Sequence, residues 1–139
     1  MGCDDLSSTR KDYLQAIYRL SKEKGYTTNK DISEYFSISR PSVSEMIKKL
    51  NTLGMLRLDK NKISLSEKGI EEAKKILSKH RIWEYFLTVN LKMDPKKVHE
   101  QADILDHITS DELRDALNKY LGYPTLSPNG NDIYENIKE

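Results

Sequence analysis

The sequence predicts a mostly helical chain, a winged helix-turn-helix followed by a helical metal-binding region. Three observations carry this reading. Apolar residues recur at helical spacing along most of the chain. Between residues 55 and 65 that period gives way to two short alternating segments. Beyond them, all three histidines, His80, His99 and His107, fall beside carboxylates at helical spacing.

The elements follow in order. Ser7 or Ser8 can cap a first helix whose apolar face is Tyr13, Leu14, Ile17, Tyr18 and Leu20, with Gly25 ending it. Thr28 followed by Asp31 is a capping-box pattern opening a short second helix with Ile32 and Phe36. Ser37, Ile38 and Ser39 make a tight turn. Arg40 and Pro41 begin a third helix, because proline is tolerated in a first turn. Val43, Met46, Ile47 and Leu50 form its core face, and Gly54 ends it. Residues 55–58 and 63–65 read as two strands around a polar turn, residues 59–62. Ser66 caps a long fourth helix to about Val89, with Ile70, Ala73, Leu77, Trp83 and Leu87 on its buried side. Asp94 and Pro95 start a fifth helix. Ser110, Asp111 and Glu112 start a sixth, which Gly122 closes. The tail, with Pro124, Pro128 and Gly130, reads as irregular and poorly ordered.

Composition narrows the classes of function. The 139 residues carry a net charge of +1. Residues 1–65 hold 12 Lys and Arg against 8 Asp and Glu; the rest hold 11 against 14. A basic first half suits a phosphate backbone and an acidic second half suits cations. Cys3 is the only cysteine, so nothing implies an oxidising compartment, and it reads as an incidental residue of a frayed end. No apolar run approaches the ~18 residues of a membrane span, and residues 1–6 lack a signal peptide's apolar region. The position that myristoylation wants as Ser or Thr is Leu6. A cytoplasmic protein with no membrane partner is expected.

Two short helices joined by a tight turn, then a hairpin, make a winged helix-turn-helix. Ile32, Phe36, Ile38, Val43 and Ile47 supply the packing between the helices. The outer side of the third helix then carries Ser39, Arg40, Pro41, Ser42, Ser44, Glu45, Lys48 and Lys49. Hydroxyls at its start can meet phosphates or base edges, and Glu45 can accept from a cytosine amino group. Arg40, Lys48 and Lys49 reach phosphates, and Lys60 and Lys62 sit where a wing tracks the backbone. Double-stranded DNA is the expected partner.

The fifth helix holds the sharpest signal. At ~100° per residue, His99, Asp103, Asp106 and His107 lie within an arc of about 100°. Val98, Ala102, Ile104, Leu105 and Ile108 fill the rest of the buried circumference. On the fourth helix, His80 and Glu84 share a face at i, i+4. Imidazoles mixed with carboxylates suit a divalent first-row metal, and oxygen-rich sets favour Mn(II) or Fe(II). No cysteine is placed for a thiolate zinc site. Asp12, in the first turns of the first helix, is a candidate ligand that ties the two halves together.

These stretches resemble the diphtheria toxin repressor family, which includes iron-dependent regulators and manganese transport regulators. The resemblance rests on Asp12-Tyr13-Leu14 with Ile17-Tyr18, Pro41-Ser42-Val43-Ser44, and Lys79-His80-Arg81 with Glu84. It continues through Lys97-Val98-His99-Glu100, Asp106-His107 and Ser110-Asp111-Glu112, in order from about residue 8 to residue 122. It implies a homodimer that binds a palindromic operator with Fe(II) or Mn(II) as corepressor. It also implies a main site of Asp12, Asp103, Asp106 and His107, with His80, Glu84 and His99 as an ancillary site; alternatively His80 joins a cluster beside the main site, as in manganese-type members. Iron-type members usually have Met at position 12 and Cys at position 103. Manganese-type members have Asp at the first and a carboxylate where this chain has Gln15. The sequence matches neither subtype fully. The resemblance further implies a short form without the SH3-like third domain of longer members, which adds ligands to the ancillary site.

The expected organisation is therefore a winged helix-turn-helix over residues 1–65, a helical metal-binding and dimerisation domain over 66–122, and an irregular tail over 123–139, with the fourth helix as a rigid connection. Metal held by Asp12 and the fifth helix would select the orientation that sets two recognition helices about one DNA turn, ~34 Å, apart. The alternative is a winged-helix regulator answering a non-metal ligand. An enzyme is not expected: the chain offers no nucleophile with a base and no Gly-rich phosphate loop, and only Asp103 and Asp106 approach a di-metal oxidase pattern.

Overall fold

A computed structural model describes residues 2–137, with side chains from residue 9 onward. The order is α1 (Gly2–Leu20), α2 (Asn29–Phe36), α3 (Arg40–Thr52), β1 (Leu56–Asp59), β2 (Lys62–Leu65), α4 (Glu67–Tyr85), α5 (Pro95–Ile108) and α6 (Asp111–Tyr120). Contacts divide the chain into two compact units, Met1–Ala73 and Lys74–Glu139.

In the first unit, α1 begins at Gly2, ahead of Ser7 and Ser8, whose side chains, and with them the expected cap, lie outside the described residues. The side chain of Cys3 lies outside the described residues. The helix stops at Leu20, and a turn carries the chain to Gly25, whose φ of +86° needs glycine. Thr28 caps α2 by accepting from Asp31 N–H at 3.2 Å. Ser37, in the left-handed region, closes α2, and Ser39 caps α3 by accepting from Ser42 N–H at 3.3 Å. Val43, Met46, Ile47 and Leu50 of α3 are buried, as are Tyr13, Leu14, Ile17 and Ile32. Ile38 remains 38 % exposed, so it contributes less of the helix-turn-helix packing than its apolar character predicts.

Strands β1 and β2 pair antiparallel, with Leu56 opposite Leu65 and Asp59 opposite Lys62. Thr27 adds a further pair to β2, exchanging bonds of 2.7 and 2.8 Å with Ile63. Ser66 joins the end of the hairpin to α4. Its hydroxyl donates to the Gly54 carbonyl at 2.6 Å and accepts from Gly69 N–H at 3.1 Å.

In the second unit, α4 ends at Tyr85 and passes into a π-helical turn, Phe86–Asn90. Leu87, Val98 and Ala102 form a buried cluster, with Trp83, Phe86, Met93 and Leu105 packed against it. Asp94 caps α5 and Ser110 caps α6. On α5, Ile104 (55 % exposed) and Ile108 (75 %) face outward instead of completing the buried circumference. Residues 123–137 have little regular structure, yet they are held down rather than loose. Leu126 bridges Asp132, and Ile133 is fully buried. Asn118 and Asn136 exchange amide bonds of 2.8 and 2.6 Å. Arg114 pairs with Glu135 at 2.6 Å, and Arg81 donates to the Asp132 carbonyl at 2.6 Å.

Candidate nucleic-acid interface and metal centre

The outer side of α3 presents Ser39, Arg40, Pro41, Ser42, Ser44, Glu45, Lys48 and Lys49, all exposed. Its buried residues at 43, 46, 47 and 50 fix which side that is. At its start the polar groups are hydrogen-bonded to one another. Ser39 and Ser42 share a hydroxyl bond of 2.8 Å. Asn29, at the start of α2, donates to the Arg40 carbonyl at 3.1 Å and to Ser44 Oγ at 2.8 Å, and accepts from Arg40 Nε at 3.3 Å. Sequence reasoning missed Asn29. Its partners lie 11 and 15 residues away, beyond any local pattern. Lys60, at φ +58°, turns the hairpin, and both Lys60 and Lys62 are exposed. The Lys62 ammonium also rests 4.8 Å from the Tyr26 ring centre.

The second unit gathers six of the seven expected metal ligands. The i, i+4 spacing on α4 places His80 and Glu84 on one face, and 99, 103, 106 and 107 line α5. His80 sits at the centre. Its Nδ1 lies 3.0 Å from Asp106 Oδ2 and 3.1 Å from Asp103 Oδ1. Its Nε2 lies 3.2 Å from His99 Nδ1 and 3.4 Å from Glu84 Oε1. His99 reaches Asp103 at 3.4 Å and Glu84 at 3.8 Å. His107 Nδ1 bonds Asp106 Oδ1. His80, Glu84 and Asp106 are buried, whereas the side chains of His99 and Asp103 are 59 % and 50 % exposed. The cluster therefore has a closed floor and an open mouth. The seventh expected ligand, Asp12, is half-buried on α1 in the first unit.

The electrostatics fit a cation. Burial alone would push the His80 pKa down. The hydrogen bonds and charges of Asp106 and Glu84 outweigh it and raise the value to about 9. Burial would likewise raise the Glu84 pKa, but the hydrogen bond and charge of His80, with His99 and Arg81, hold it below the usual range. A proton on His80 thus offsets two buried carboxylates. A divalent ion offsets them better and frees that nitrogen to coordinate. Donor atoms of His80, His99 and Asp103 lie within 4.8 Å of one another. Bonds of about 2.0–2.2 Å put opposite ligands of one ion up to ~4.4 Å apart, so small rotations suffice. When one His80 nitrogen binds metal, the other can donate to a carboxylate, which orients the ring.

Residues 5–63 match the family described as the iron dependent repressor, N-terminal DNA binding domain. Residues 66–135 match the iron dependent repressor, metal binding and dimerisation domain. The chain belongs to the iron-dependent repressor family, whose members are metal-dependent transcriptional repressors. It is 37% identical over 118 residues to an uncharacterized HTH-type transcriptional regulator of Methanocaldococcus jannaschii, covering 84% of this chain and 94% of that one. It is 33% identical over 131 residues to the iron-dependent repressor IdeR of Mycobacterium leprae, covering 94% of this chain and 57% of that one. The structure of the manganese regulator SloR superposes with a TM-score of 0.77 at 39% identity, over 89% of this chain and 58% of that one. The chain spans little more than half the length of IdeR and SloR. Among the described residues, no helix is long and apolar enough to cross a membrane.

Proposed function

We propose that this chain is a cytoplasmic transcriptional repressor that binds a palindromic operator as a homodimer, with Fe(II) or Mn(II) as corepressor. The observation that carries the reading is the His80-centred cluster, in which each ring nitrogen meets one buried carboxylate and one exposed donor: Nδ1 with Asp106 and Asp103, Nε2 with Glu84 and His99. Nitrogen and oxygen donors without sulfur suit Mn(II) and Fe(II). In this reading His80, Glu84, His99, Asp103, Asp106 and His107 hold the ion. Asp12 is proposed as a further ligand on the sequence resemblance. Arg40, Lys48, Lys49, Lys60 and Lys62 take phosphates, the hydroxyls of Ser39, Ser42 and Ser44 meet phosphates or base edges, Glu45 accepts from a cytosine amino group, and Pro41 lies at the same DNA-facing start of α3.

Equilibrium Mn(II) binding tests the metal half. Asp106→Asn keeps the shape but halves the buried charge, and should weaken Mn(II) by more than about tenfold. Asp12→Ala should stay folded and lose metal-activated DNA binding. Wild-type Mn(II) affinity in Asp106→Asn, or a full metal response in Asp12→Ala, would remove those residues from the site.

A further inference from the structure

Helix α4 carries two pairs at i, i+4 on neighbouring faces. His80 and Glu84 supply donor atoms to the cluster. Lys79 and Trp83, each one residue earlier, grip the end of α5 instead. The Trp83 Nε1–H donates to Thr109 Oγ1 at 2.7 Å, and the Thr109 hydroxyl donates in turn to the Leu105 carbonyl at 2.5 Å. The Lys79 ammonium donates to the Thr109 carbonyl at 3.0 Å and pairs with Asp111 at 3.0 Å. Thr109 is buried, and it is the C-terminal cap of α5, three residues beyond Asp106.

We propose that Thr109 and Trp83, with Lys79, are positioning residues for the metal centre, setting the register of α5 against α4 so that the ligands of the two helices meet. Apart from the contacts that His80 and Glu84 make with α5, the π-helical turn after α4 meets α5 through the apolar cluster of Leu87, Val98 and Ala102, and the hydrophobic effect is non-directional. It favours contact without fixing how far one helix slides or turns on the other. The Thr109 hydroxyl is directional on both counts, as acceptor from α4 and as donor within α5. It acts at the end of α5 where buried Asp106 stands 3.0 Å from His80. None of the three residues offers a donor atom to the cluster, so their effect on metal passes through helix placement.

The inference rests on the proposed metal site, and the experiment separates the two. Mn(II) affinity is measured by equilibrium dialysis at 25 °C for wild type, Thr109→Val and Thr109→Ser, with melting temperatures and tryptophan emission recorded alongside. Trp83 is the only tryptophan in the chain, so its emission reports the broken bond directly. Thr109→Val should bind Mn(II) about tenfold more weakly, the scale seen when groups orienting a ligand are lost. Its emission should shift, and Thr109→Ser should restore both. Thr109→Val binding within twofold of wild type overturns the inference while leaving the metal site intact. Wild type that binds no Mn(II) overturns both. If Thr109→Val fails to fold, Trp83→Phe decides: it removes the donor and keeps a ring, and unchanged Mn(II) affinity overturns the clamp, whereas a comparable loss upholds it.

Discussion

His80 concentrates the physics of the site in one side chain. In the metal-free protein its pKa stands at about 9 in the folded state, against about 6.5 when unfolded. Folding therefore takes up a proton between those values. The stabilisation is fully present below about 6.5 and is lost as pH rises through about 9. Thermal melting in chelator should show the melting temperature falling across that window, and His80→Gln should flatten the fall. A wild-type melting temperature that rises with pH there would contradict the account. At this scale the candidate ligands were legible because histidines and carboxylates at 3–4 spacing share a helix face whatever the fold does around them. Six of them do converge. Asn29, Trp83 and Thr109 were not legible. Each acts through a partner between 11 and 26 residues away, and only the packed helices create that proximity.

At the scale of elements, caps and turns were readable because they are local chemistry. Thr28, Asp94 and Ser110 cap the helices they precede, since each side chain satisfies a backbone N–H that the helix leaves free. The end of α4 was harder to read. Phe86, Leu87 and Val89 continue an apolar run, and the sequence carries no mark of the π-helical turn that bonds Leu91 N–H to the Phe86 carbonyl at 3.1 Å. Exposure of Ile104 and Ile108 was likewise hidden, because an apolar period marks a face but not what covers it. The tail misled through its prolines and glycine, which signal irregular backbone and say nothing of whether Ile133 finds a core. One glycine carries a prediction. A Cβ on Gly69 would meet the Met55 carbonyl oxygen at 2.1 Å, where the start of α4 crosses the strand entry. Gly69→Ala should cost about 1–3 kcal/mol in chemical denaturation through overpacking. Stability equal to wild type would contradict a close approach of Gly69 to the Met55 carbonyl.

For the whole molecule, division of labour was legible from charge and period. A helix-turn-helix with a hairpin occupies the basic half, and the imidazole–carboxylate cluster occupies the acidic half. The two family matches cover residues 5–63 and 66–135. The operator sequence and the choice between iron and manganese were not legible, because neither is written in local patterns. Base readout depends on side-chain geometry against DNA, and ion choice in the cell depends on availability as well as affinity. Metal and DNA must nevertheless be linked: if metal tightens DNA binding, DNA tightens metal binding by the same factor. The most direct measurement is fluorescence anisotropy with DNA from upstream of metal-transport genes, run anaerobically at fixed salt with chelator, Mn(II) or Fe(II). The account predicts tight binding with metal and loss of that binding in chelator. Equal binding in chelator would contradict it, leaving a regulator that answers some other ligand and a cluster that serves the fold alone.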